Sequence, residues 1–174
     1  MLRNRLNKLR MLWWGMGATF GLAIGGLWPT APLHATATDR QESFAMATGM
    51  IEGGFEAIFT LDFLTGDLRG AVPAFNNPRA FSALYAHNVM EDLGVEVGKN
   101  PKFMIVTGTA SLRSGGAFQY GGCVVYIAEV TSGKLAMYAV AFSPAMMNRI
   151  YTAAPMDFTL LNVVSIRTTA VRGQ

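Results

Sequence analysis

The chain has 174 residues, of which 51% are hydrophobic and 14% charged. That suits one domain with a real core and excludes both a disordered chain and two full-sized domains. A single Cys excludes a disulfide-stapled scaffold and any multi-Cys zinc or iron–sulfur site.

Residues 1–10 carry Arg3, Arg5, Lys8 and Arg10 and no acid, and residues 11–28 have no charge at all. Pro29 and Pro32 follow, and then Ala35-Thr36-Ala37 places small residues at the −3 and −1 positions of a cleavage site. Basic, apolar and small, in that order, is the pattern of a bacterial signal peptide over 1–37. An uncleaved membrane anchor through residues 11–28 is the rival reading. No Cys directly follows the apolar run, so no lipoprotein anchor is expected.

Without residues 1–37, the chain keeps ten of its 14 Lys and Arg and all 11 acids, a net charge of −1 in place of +3. No basic block remains, which argues against nucleic-acid binding. The expected location is the periplasm, the cell envelope or the exterior.

Residues 38–53 are small and polar and read as a linker. Phe55–Asp62 and Asp67–Phe75 then read as two strands joined around Thr65-Gly66, with Gly66 taking the positive φ of a short hairpin loop. Asn77-Pro78 is a helix-start signal. The spacing of Phe81, Leu84, Tyr85, Val89 and Leu93 predicts a long helix over Arg79–Leu93, closed by Gly94. Lys102–Leu112 reads as β-rich, and the glycines of 115–122 read as a flexible joint.

Shifted by 67 residues, Phe59–Leu68 falls on Tyr126–Leu135 without a gap. Asp62 meets Glu129 and Gly66 meets Gly133, and at an offset one residue shorter Asn77-Pro78 lies opposite Ser143-Pro144. A short second helix is expected over Pro144–Tyr151 and a β-rich run over Phe158–Val171. The economical account is a single α+β domain over 54–174, built from tandem β-β-α-β repeats, 54–114 and 121–171. It would hold about six mostly antiparallel strands with one long helix packed on the sheet. Two hairpins converging on the same turn chemistry are the alternative.

Chemistry-bearing residues are few. His87 and Cys123 are the only His and Cys after residue 37. They offer a nucleophile pair in principle, but a lone strand Cys more often packs as a small hydrophobe. His87, taken as helical, faces Glu91 at i,i+4. An unpaired Cys in an exported protein also offers an intermolecular disulfide. Asp62 and Glu129 are matched acids, and Arg113 and Arg167 matched bases. Together they form a candidate ligand-binding set between the repeats. The preferred reading is that each acid caps its own turn and each Arg reaches to the surface. No metal set, cofactor motif or catalytic residue is expected: there is no serine elbow and no phosphate-binding loop with its Lys.

What remains is surface. The 21 charged residues among the 137 of 38–174 are about 15%, against about 25% in typical domains. An apolar face meeting another copy, an envelope protein or a membrane surface follows. Phe103, Met104, Phe118, Tyr120, Met137, Tyr138, Met146 and Met147 are available for it.

Ala57–Val72, Asn100–Leu112 and Val124–Val140 together resemble a family of exported proteins from planctomycete-type bacteria. The resemblance implies a bacterial envelope protein and carries no activity, cofactor or site residue with it. The expected function is a non-enzymatic envelope domain that self-associates or binds a protein partner; the alternative is a small-ligand-binding or enzymatic domain with its site between the repeats.

Overall fold

The computed structural model describes residues 38–96, 99–112 and 119–167. The hairpin expected around Gly66 is formed by β3 (Phe55–Asp62) and β4 (Asp67–Ala74), in antiparallel register from Leu61↔Leu68 to Ile58↔Ala71. Gly66 has φ 73°, the left-handed region that a side chain disfavours. Asp62 accepts from the amides of Leu64 (2.8 Å) and Thr65 (3.2 Å), so the loop's own donors are satisfied locally.

Ahead of this hairpin lie β1 (Thr38–Arg40) and β2 (Phe44–Glu52), so the stretch 38–53 is strand for most of its length and not a linker. The strand signal is muted because the inward residues of β2 are Ala45, Ala47, Gly49 and Ile51, mostly too small to register as a hydrophobic stripe.

The largest correction concerns residues 79–93. β5 (Asn77–Asn88) pairs antiparallel with β4 along its length, and only Val89–Leu93, here α1, is helical. The α+β class with one long helix is therefore wrong; the described fold is nearly all antiparallel β. Apolar residues at 81, 85, 89 and 93 satisfy a helical period, but Ala83 and Tyr85 also satisfy a strand period with their side chains in the core. Ala and Leu are strong helix formers, but tertiary context routinely overrides propensity, and pairing with the open edge of β4 outweighs it here. The two ends of the segment keep the chemistry that suggested a helix. Asn77 accepts from the Arg79 amide (3.1 Å), but inside a tight turn that closes Ala74 on Asn77. Asn88 caps α1 through the Met90 amide (3.0 Å), and Gly94 ends it at φ 63°.

The second sheet is a meander of β6 (Phe103–Thr109), β7 (Tyr120–Glu129), β8 (Lys134–Ala141) and β9 (Thr159–Ser165). In place of a helix over Pro144–Tyr151 there is a single 3-10 turn, Pro144–Met146. The first sheet has the order β1-β2-β3-β4-β5. Among the described residues there are thus nine strands, where about six were expected.

The inner faces of the two sheets share one core. Phe158, just ahead of β9, stands between Phe59, Tyr85 and Tyr138, with ring centroids 5.5–6.5 Å away. Each fully buried ring of this kind contributes roughly 1.5–3 kcal/mol. Gly49 of β2 lies against Cys123 of β7, with no room for a Cβ between them. On one side the sheets are tied by the Thr107 hydroxyl, which donates to the Thr48 carbonyl. On the other, the β8–β9 connection runs along β5, through Tyr151 N to Phe81 O (2.8 Å), Met156 N to Leu84 O (2.9 Å) and Ala86 N to Met156 O (2.9 Å). No described helix is long and apolar enough to cross a membrane.

Candidate functional site

The hairpin of β7 and β8 repeats the turn of β3 and β4 bond for bond. Gly66 N reaches Asp62 O and Gly133 N reaches Glu129 O, both at 2.9 Å. Val89 N donates to Gly66 O (2.9 Å) and Ile166 N to Gly133 O (2.8 Å). Phe63 N reaches Ser43 O (2.9 Å) and Val130 N reaches Lys102 O (2.8 Å). Glu129 accepts from the amides of Thr131 (2.9 Å), Ser132 and Lys102 (3.3 Å). Burial alone would raise its pKa, but these amide bonds outweigh it and hold the carboxyl at about 2.

Asp62 and Glu129 therefore spend their hydrogen bonds on turn amides and on Lys102. Among the described residues, no hydrogen bond or ion pair joins one to the other, or Arg167 to either. Arg167 donates to Thr131 O (3.0 Å), beside the Glu129 turn. Arg113 and the cleavage-site residues Ala35 and Ala37 lie outside the described residues, as do Phe118 and the apolar run 11–28.

Cys123 is 1% exposed, and burial pushes its thiol up to about 12. A buried thiol of that kind is neither nucleophile nor disulfide partner. His87 is elsewhere and is occupied. At the end of β5, its Nε2 lies 2.7 Å from Asp92 Oδ2 on α1, and its Nδ1 2.7 Å from Asp157 Oδ1 on the β8–β9 connection. The contact to Glu91 expected from a helix is replaced by these two. Donating to both carboxylates takes a proton on each ring nitrogen, so this arrangement favours the imidazolium. Burial pulls its pKa down, yet the hydrogen bonds and charges of Asp92 and Asp157 outweigh that and raise it above the ordinary histidine value.

Tyr138 of β8 completes the group, donating to Asp92 Oδ2 (2.8 Å) with its ring 5.3 Å from that of His87. Burial and Asp92 raise the phenol pKa, so it stays a donor. The group ties β5, α1, β8 and the β8–β9 connection together. With both ring nitrogens engaged, His87 has no lone pair for acid–base work in this arrangement. Sequence reasoning missed Asp92, Asp157 and Tyr138. The available signal was that Asp157 is the one acid after Glu129 in a long uncharged stretch.

A cleft of about 510 Å³ opens beside Asp157, with Phe142, Met146 and Met156 as its apolar wall and Tyr120 and Thr159 at its polar side.

The outer face of the second sheet is different in character. Register places Met104, Ala128, Leu135 and Val164 in one cross-strand row, and Val106, Tyr126, Met137 and Asn162 in the next. Neither row holds a charge. Met104 is 51% exposed, Val106 48% and Val164 44%. Of the residues expected to form an apolar surface, Met104 and Met137 are on this face, whereas Phe103 and Tyr138 point into the core. The outer face of the first sheet carries Glu56, Thr60 and Arg69 among its apolar residues.

Comparison of the chain with protein-family models, with curated proteins and with solved structures finds no match.

Proposed function

We propose that the chain is an exported, non-enzymatic domain of the bacterial cell envelope that works by association, with copies of itself or with a protein partner. The observation that carries this reading is the uncharged outer face of the β6–β9 sheet. An antiparallel sheet with one face in water ordinarily alternates apolar inward with polar outward. Here both sides of the sheet are apolar over two consecutive rows. A contiguous face of that kind is a contact surface or a liability.

Export rests on the basic, apolar and small segments of residues 1–37, and on the resemblance to exported planctomycete-type proteins. The internal-repeat reading rests on the two hairpins, whose turn, flanking bonds and left-handed Gly coincide at an offset of 67 residues. Small-ligand binding is the second reading, favoured by the cleft beside Asp157, whose volume suits a small molecule.

Replacing Met104 and Val106 together by Lys tests the leading reading. Both side chains are half exposed, so the fold tolerates the change. Gel filtration should show the parent chain as a defined multimer and the variant eluting later, with the same far-UV spectrum. A parent that elutes as a monomer, or a variant that elutes with its parent, contradicts self-association through this face.

A further inference from the structure

The cleft beside Asp157 has a chemistry that its volume alone does not give. Phe142, Met146 and Met156 form its apolar wall, and methionine thioethers adapt to the shape of whatever packs on them. Among its described lining residues, Asp157 is the only charged one, and no Lys or Arg is present. An anionic molecule there meets a carboxylate with no cation on the lining to offset it.

The Asp157 carboxylate is only half used. Its Oδ1 lies 2.7 Å from His87 Nδ1, and no described donor reaches its Oδ2. Asp92, on the other side of the ring, is better served. Its Oδ2 takes both His87 Nε2 (2.7 Å) and the Tyr138 hydroxyl (2.8 Å). The Asp92 side chain is 18% exposed and that of Asp157 72%. Two carboxylates share one imidazolium, so the group keeps a net charge of −1. The other ion pairs of the described residues, Arg69–Asp67 and Lys99–Glu96, do not involve it. The surplus falls to Asp157, which has one partner and lines the cleft.

Acceptors accompany that charge. The hydroxyls of Tyr120, Ser143 and Thr159 line the same cleft and have no protein partner among the described residues. An alkylammonium brings three N–H donors and no acceptor, which suits a carboxylate oxygen flanked by hydroxyls.

We propose that the cleft binds a small organic amine in its ammonium form, its N–H donors on Asp157 Oδ2 and the neighbouring hydroxyls and its apolar body against Phe142, Met146 and Met156. This rests on the small-ligand reading above and names the class of ligand. An uncharged molecule of the same shape gains the apolar contacts alone, and a carboxylate is repelled.

Titration of the full chain, isotope-labelled at the methionine methyl groups, tests it with probes of one shape: phenethylamine, phenethyl alcohol and phenylacetate. At about pH 6 the amine is charged, the acid ionised and His87 protonated. The Met146 and Met156 methyl signals, assigned through Met146→Leu and Met156→Leu, should move with phenethylamine at a Kd about tenfold below that of the alcohol, with phenylacetate weakest. Asp157→Asn keeps an oxygen for His87 and removes the charge, so it should bring the amine to the level of the alcohol. Ala141→Leu, which narrows the cleft, should weaken amine and alcohol alike. The comparison of probes on the parent decides even if Asp157→Asn fails to fold.

If the alcohol or phenylacetate binds as tightly as the amine, or the preference for the amine survives Asp157→Asn, the ammonium assignment is wrong while small-ligand binding stands. If none of the probes moves either signal at millimolar concentration, both fall.

Discussion

At the residue scale, two titrating groups give the fold opposite pH dependences. Glu129 is held at about 2 by turn amides. A depressed acid stabilises above its ordinary pKa, and the contribution fades as pH falls from about 5 toward 2. Glu129→Gln should therefore lose stability to urea at pH 7 and differ little from the parent at pH 2; an equal loss at both would assign the effect to packing. His87 has a raised pKa. Its stabilisation is fully present below about 6.5, the unfolded value, and is lost as pH rises through the folded value. Urea midpoints of the parent should decline on that alkaline side. His87→Asn should flatten the decline, and a decline that survives the substitution would separate it from the Asp92–His87–Asp157 group. Only one of the two groups was legible in the sequence. Glu129 was, because its three-residue reach to Ser132 is local. His87 was not, because its partners are fixed by a strand pairing that brings residues 87 and 157 together.

At the element scale, turns were legible and strand pairing was not. Gly66 and Gly133 announce their hairpins because left-handed backbone needs glycine. Gly66→Ala and Gly133→Ala should each cost about 1–2 kcal/mol in thermal or urea unfolding, with Met90 and Arg167 crowding the new methyl groups. A loss at one turn and none at the other would break the equivalence of the hairpins. β2 and β5 were hidden for different reasons. β2 turns Ala45, Ala47 and Gly49 inward because Cys123 and Thr107 of the other sheet come so close to Gly49. Gly49→Ala should destabilise by about 1–3 kcal/mol through overpacking, and Cys123→Ala in the same chain should recover part of it. Additive losses would show that the two residues do not compete for one space. β5 was hidden because residues 79–93 fit two periods at once, and only the edge of β4 decides between them.

At the scale of the whole molecule, the shortage of charge was legible from composition, and where it falls was not. Alternation along β6–β9 is needed to see that Met104, Val106, Tyr126 and Met137 share one side of a sheet whose other side is already core. The same count of apolar residues spread over both sheets would have meant nothing. Concentrated on one face, they point to assembly. All described elements lie in one compact unit.

The most direct measurement is the solution mass of the chain by light scattering across a concentration series. A defined multimer, dissociating on dilution and shifted toward monomer when Met104 and Val106 are replaced by Lys, is the predicted result. A monomer at every concentration would contradict association of this domain with itself.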